Sequence, residues 1–177
     1  MRSRKNELET LYRQYAKPLY YFLLKMSGSK ELAEDLTQET FVRATISLSQ
    51  YNQEDVRAWL FKVARNVYID EWRKRERRRK IPFAELFSKE REMLSPYGLP
   101  EEEALKIEEK EDLQTLLNFL PEQYRTTLYL REYESFSYKE IAEALDLTES
   151  QVKVAIHRAR KKLAQLAKKQ HWGEDHE

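Results

Sequence analysis

SYKEIAEALDLTESQVKVAIHRARKKLAQL, residues 137–166, reads as two capped helices joined by a very tight turn. Ser137 is followed three residues later by Glu140, and Thr148 three later by Gln151. Each pair can form a capping box, in which side chain and backbone satisfy one another's free amides at a helix start. Between the two starts, Ile141, Ala142 and Leu145 make one apolar stripe, and the segment Leu145-Asp146-Leu147 leaves room for a turn of about three residues. Glycine is common in such turns and is missing here; Asp146 substitutes for it, because aspartate tolerates the left-handed conformation better than most side chains. The second helix buries Val152, Ala155, Ile156, Ala159, Leu163 and Leu166 at helical spacing and turns Lys153, His157, Arg158, Arg160, Lys161 and Lys162 outward. No acidic residue occurs from 151 to 170. A basic amphipathic helix alone reads equally well as a solvated face. Held across a first helix by a tight turn, with its amino-terminal turns projecting, it has the geometry that enters a DNA major groove.

The rest of the chain is helical in character. Among 177 residues there are three glycines and five prolines, little material for hairpins, so the fold class is all-α. Cysteine is absent, which excludes disulfides and thiolate zinc sites and agrees with a reducing cytoplasm. No apolar run reaches membrane-spanning length and the amino terminus lacks a signal-peptide core, so the expected location is cytoplasmic. The net charge of +1 hides strong segregation of charge along the sequence.

Residues 6–26 carry apolar groups at helical spacing, with Pro18 inside the run, where it should kink the helix or divide it. After Ser27-Gly28-Ser29 a second helix is predicted over 30–46, with Leu32, Ala33, Leu36, Thr40 and Val42 to Ala44 as packing groups. On it Asp35, Gln38, Glu39 and Arg43 share one polar face. A polar loop containing Tyr51 and Asn52 leads to a third helix over 55–75, whose buried stripe is Val56, Trp59, Leu60, Val63, Ala64 and Val67. Lys62, Arg65, Asn66, Ile69 and Arg73 lie roughly opposite. Trp59 reads as core, whereas Tyr51, Tyr68 and Trp72 suit either core packing or the stacking of unpaired bases beside arginines. The helix ends in RKRERRRK, residues 73–80, seven basic residues and one acid, either a solvated run or a phosphate track.

Pattern then dissolves. Four Pro and Gly residues punctuate 82–100, residues 101–112 carry seven acids against two lysines, and a short helical turn is expected near 83–87. The predicted organisation is an amino-terminal domain over 1–80, an acidic linker over 81–109, a carboxy-terminal helix-turn-helix domain over 110–170 and a frayed tail over 171–177. Within the second domain a helix over 109–120 precedes one that starts at Pro121. A domain that small is marginal alone. His171 and His176 in the tail make no metal site, and no nucleophile triad, phosphate loop or cofactor motif is present, so no enzymatic role and no cofactor is expected.

Three runs in order, AEDLTQETFVRA (33–44), WLFKVARNVYIDEWRK (59–74) and LPEQYRTTLYLREYESFSYKEIAEAL (120–145) with TESQVKVAIHRARKKL (148–163), resemble a bacterial sigma factor of the extracytoplasmic-function (ECF) group. The resemblance covers both domains and implies a non-enzymatic promoter-specificity subunit. Its partners are the beta-prime and beta subunits of core RNA polymerase, promoter DNA and an anti-sigma factor that is membrane-linked in many family members, with no small-molecule substrate. Asp35, Gln38, Glu39 and Arg43 fall where the family grips polymerase. Tyr51, Asn52, Lys62, Arg65, Asn66 and Arg73 fall where it opens and holds the minus-ten element, Tyr51 and Asn66 matching positions that capture a flipped base and its neighbour. Ser150, Lys153, Val154, His157 and Arg158 fall on the base-reading face for the minus-thirty-five element, with Arg160 and Lys161 on phosphates. His157 departs from the aromatic or larger side chains common there, so the promoter sequence is not legible from it. The competing readings are a dimeric helix-turn-helix repressor, which leaves the amino-terminal half unexplained, and a decoy that titrates a sigma inhibitor.

Overall fold

The computed structural model describes residues 2–51, 55–79 and 116–174. Those residues form helices and connecting turns, with no strand among them. We number the helices α1 (Arg2–Ser27), α2 (Lys30–Ser47), α3 (Val56–Arg79), α4 (Glu122–Glu132), α5 (Tyr138–Leu145) and α6 (Glu149–Glu174), with a 3-10 turn at Leu48–Gln50 after α2. The architecture is all-α, two small helical units of which the second is a helix-turn-helix. Asn52, the acidic run and the helical turn expected near 83–87 lie outside the described residues, as does most of the helix expected over 109–120, of which 116–118 are helical.

Local chemistry sets the boundaries. Gly28 stands at φ 71°, a conformation open to glycine without a Cβ clash, and its amide donates to the Leu24 carbonyl at 2.7 Å to end α1. The Ser29 hydroxyl then accepts from the Leu32 amide at 3.2 Å to start α2. The Asp55 carboxylate accepts from the Ala58 amide at 3.0 Å at the head of α3. Pro121 caps α4 from just outside rather than forming its first residue.

Other expectations are corrected as well. Pro18 does not divide α1, which runs unbroken through it; the ring removes one amide donor, and Leu19, Phe22, Leu23 and Met26 beyond it are fully buried, so packing holds the turn that the proline weakens. Val42 does not pack: it is 54% exposed, and Ile46 one turn later is 74% exposed. Helix α6 also stays regular as far as Glu174, into the segment read as a frayed tail.

Helix α3 is the centre of the molecule. Its burial is broader than one stripe, because α1 and α2 cover one side and α5 another. Ala58, Phe61 and Tyr68 are therefore buried alongside Leu60, Ala64 and Val67, while Trp59 and Val63 are half-buried against the same core. Aromatic rings run across the boundary between the two units: Phe22 of α1 lies 5.3 Å from Phe61 of α3 and 5.3 Å from Tyr129 of α4. Phe61 in turn meets Phe136, before α5, edge-on at 5.3 Å. Ile141, Leu145, Val152 and Ile156 of the helix-turn-helix join this single core. The outer half of α6 packs separately, with Ala159, Leu163 and Leu166 against Leu117, Leu120 and Leu128.

Candidate nucleic-acid interface

The helix-turn-helix forms as its caps require. At α5 the Ser137 hydroxyl accepts from the Glu140 amide at 3.1 Å while the Glu140 carboxylate accepts from the Ser137 amide at 3.0 Å. At α6 Thr148 and Gln151 exchange the equivalent bonds at 3.1 and 2.9 Å. Between them Asp146 takes φ 54°, ψ 45°, the left-handed conformation that the turn needs. With Val152, Ala155, Ile156 and Ala159 buried, α6 points Ser150, Lys153, Val154, His157, Arg158, Arg160 and Lys161 into solvent. The predicted base-reading residues thus share one accessible face. Two are partly engaged: the Arg160 guanidinium donates to Glu132 at 2.9 Å, and the Lys153 ammonium sits 5.9 Å from the Tyr138 ring centroid. Val154, 46% exposed amid polar neighbours, presents an apolar surface suited to a thymine methyl group.

The face predicted on α2 is also assembled. Asp35, Gln38 and Glu39 are exposed on one side of the helix. Arg43 ties that face to α3: it donates to Glu39 at 3.2 Å and to Asp70 at 2.6 Å. Bonding to Asp70 chiefly, against a smaller opposing effect of burial, holds the Arg43 guanidinium more firmly protonated than usual. The exposed Val42 and Ile46 continue the same side of α2, giving an acidic and polar surface edged by bare apolar groups.

The predicted minus-ten residues fall in three settings. Tyr51 stacks on Trp59 with ring centroids 4.6 Å apart and planes 24° from parallel. Beside it opens an apolar groove of about 410 Å³ lined by Leu11, Leu48, Tyr51 and Val56. Asn66 and Arg73 are exposed on α3 and, with Ile69 and half-buried Trp72, line a polar groove of about 580 Å³ that also takes in Arg43 and Arg65. Lys62 and Arg65 are committed elsewhere. The Lys62 ammonium donates to Asp146 at 2.7 Å, and the Arg65 guanidinium makes a two-pronged pair with Glu122 at 3.0 and 3.1 Å. Tyr68, one of the rings that suited either core or base stacking, is core: it is fully buried, and that burial drives its hydroxyl pKa upward.

Several cross-unit residues escaped the sequence reading. Arg57 donates to Glu140 at 2.8 Å and to the Glu134 carbonyl at 3.3 Å, with its guanidinium 4.3 Å from the Phe136 ring centroid. Arg125, only 4% exposed, donates to the carbonyls of Met26, Leu117 and Leu120 at 3.0–3.1 Å, so a cation closes the carboxyl end of α1. The available signal is a cation in an otherwise apolar run: Arg57 between Val56 and Ala58, and Arg125 before TTLYL.

No helix among the described residues is long and apolar enough to cross a membrane. The family model described as Sigma-70 region 2 matches residues 11–78, and that described as Sigma-70, region 4 matches residues 110–163. The chain is 36% identical over 162 residues to the ECF RNA polymerase sigma factor SigM of Bacillus subtilis, covering 90% of this chain and 94% of that protein. It is 34% identical over 160 residues to the RNA polymerase sigma factor YlaC of the same organism, covering 90% and 91%. Among solved structures it is similar to the sigma factor RpoE of Bartonella quintana in complex with the anti-sigma factor NepR, at TM-score 0.68 and 24% identity over 92% of this chain and 97% of that one. It is similar also to CnrH in complex with the cytosolic domain of CnrY, at TM-score 0.63 and 20% identity over 93% and 89%. At those identities the structural likeness speaks for the fold.

Proposed function

Because this chain belongs to the sigma-70 family, in its ECF group, we propose that its two units divide one promoter between them, α6 reading duplex at the minus-thirty-five element and the α3 face with Tyr51 holding the opened minus-ten strand. The observation that carries the division is the accessible basic face of α6 behind a fully capped turn. An α-helix presented this way fits the major groove, where Lys153, His157 and Arg158 reach base edges while Arg160 and Lys161 meet phosphates. Tyr51 and Asn66 take the parted strand by stacking and hydrogen bonding, interactions that a paired base does not offer, so opening needs no nucleotide hydrolysis.

Core polymerase docks on α2. Asp35, Gln38 and Glu39 offer carboxylates and an amide to cations of the partner, and Val42 with Ile46 supplies apolar area next to them. Residues 1–80 and 110–170 serve as the two functional domains, with residues 81–109 as the tether between them. The work is cytoplasmic, where polymerase and promoter are, and the protein acts without chemistry of its own. A neighbour of the same fold was solved with the anti-sigma factor NepR, which supports regulation of this chain by a protein of that kind.

Thymine reactivity toward permanganate tests the minus-ten assignment. With core polymerase and a cognate promoter, the wild-type chain should expose minus-ten thymines, and Tyr51→Ala should reduce that signal at least about tenfold while leaving duplex binding by α6 intact. Equal reactivity with both chains would remove Tyr51 from strand capture.

A further inference from the structure

The polar groove of about 580 Å³ along α3 holds acids beside the strand-holding side chains Asn66 and Arg73: Asp70, Glu76 and Glu122 all line it. An opened strand brings phosphates of the same sign as those acids. Glu122 is answered by the two-pronged bond from Arg65, and Asp70 by Arg43, which reaches it from α2 at 2.6 Å. Burial pushes the Glu76 carboxyl above the ordinary carboxylate range, against the smaller opposing effect of Arg73. Asp70 stands four residues after Asn66 and three before Arg73, so on α3 it is one turn from each of them. Arg43 also bonds Glu39 at 3.2 Å, but its bond to Asp70 is the shorter and gives the larger hold on its proton.

From this arrangement we infer that Arg43 is a positioning residue for strand capture: it neutralises Asp70 and holds that carboxylate away from Asn66 and Arg73, so that both stay available to the opened minus-ten strand. The inference rests on the promoter reading of α3, and it gives Arg43, which the family resemblance puts on the docking face, its work in the groove. Released from Arg43, the Asp70 carboxylate would accept from the Asn66 amide one turn back and pair with Arg73 one turn on. Its bare charge would also repel the phosphates of the strand. A guanidinium suits the task, because its planar fork bonds Asp70 and Glu39 together and keeps its proton at any working pH. The Arg43 and Asp70 side chains are 34% and 46% exposed, a setting in which an ion pair adds little to stability. What its loss uncovers is therefore a charge in the path of the strand rather than a weakened fold.

Permanganate footprinting of a promoter fragment selected by run-off transcription, beside a titration of the same full-length variants against core polymerase, tests the assignment. Arg43→Ala should lower minus-ten thymine reactivity about fivefold or more, with core affinity within about twofold of the wild type. Adding Asp70→Asn to that variant should restore reactivity, because the charge that Arg43 answered is then gone. Asp70→Asn alone, which also removes the ion pair, should react at least as strongly as the wild type. That single variant decides the matter even if Arg43→Ala loses helical circular dichroism. Asp70→Asn as damaging as Arg43→Ala would make the pair a structural tie and overturn the inference. A loss of core affinity in Arg43→Ala equal to its loss of reactivity would overturn it too, and return Arg43 to the docking face. A wild-type chain that exposes no minus-ten thymines would overturn the strand reading of α3 and this inference with it, whereas a reactive wild type matched by Arg43→Ala would overturn this inference alone.

Discussion

Arg158 and Arg125 show how one residue type serves opposite ends. Arg158 is exposed on the open face of α6, with no acid in the run from 151 to 170 to neutralise it. Arg125 is sealed among backbone carbonyls, where its charge is compensated by oriented dipoles and the closure of α1. Replacing Arg158 by alanine should therefore leave the fold untouched and weaken promoter binding by about 1 to 3 kcal/mol, with relaxed preference at one base pair. Fluorescence anisotropy against a panel of singly substituted minus-thirty-five duplexes checks this; an equal loss on every duplex would assign the side chain to phosphate. The exposure of Arg158 is visible in sequence because it depends on helical phase alone. The burial of Arg125 is not, because the carbonyl of Met26 is distant along the chain and meets it only after folding.

Among the elements, α5 and α6 were the most legible because their determinants are local. Both capping boxes, the left-handed Asp146 and the buried stripe of α6 follow from spacings of a few residues. Helix α3 was legible on one side only. Its period marks Leu60, Ala64 and Val67, but the burial of Phe61 and Tyr68 comes from helices packing on it from another direction. Helix α2 departs from pattern at Val42 and Ile46, apolar groups left bare on the side that carries Asp35, Gln38 and Glu39. Changing Asp35 and Gln38 together to alanine should weaken core-polymerase binding about tenfold or more without altering the thermal stability of the full chain. Unchanged affinity in a titration against core enzyme would place the docking surface elsewhere.

The head of α5 has its own pH dependence. Burial works to raise the Glu140 pKa, but the Ser137 amide and the Arg57 guanidinium outweigh it and hold the carboxyl below its ordinary value. A depressed carboxylate contributes stability that is complete above its unfolded pKa and is lost as pH falls through the folded one. Melting temperatures taken from pH 6 downward should therefore drop more steeply for the wild type than for Glu140→Gln below about pH 4. Parallel curves would show that the carboxylate adds nothing at this junction.

For the whole molecule, the two units share a core through Phe22, Phe61, Tyr129 and Phe136 and are tied by ion pairs between α3 and the second unit. Sequence gave no warning of that closure, because apolar periodicity tells which face is buried and not what buries it. In a chain of net charge +1 the basic surfaces are thus balanced by acids elsewhere, which works against indiscriminate binding of nucleic acid. Arg57, Lys62 and Arg65 of α3 are paired with carboxylates of the second unit, and the cations of α6 are confined to one face. Promoter selection then depends on assembly with polymerase, and run-off transcription examines that dependence most directly. Purified core polymerase with this chain should yield discrete transcripts from a library of fragments that carry minus-thirty-five and minus-ten elements, and core polymerase alone should yield none of them. Strong binding of the chain to a palindromic operator by itself, with no transcript started in the presence of core, would contradict it.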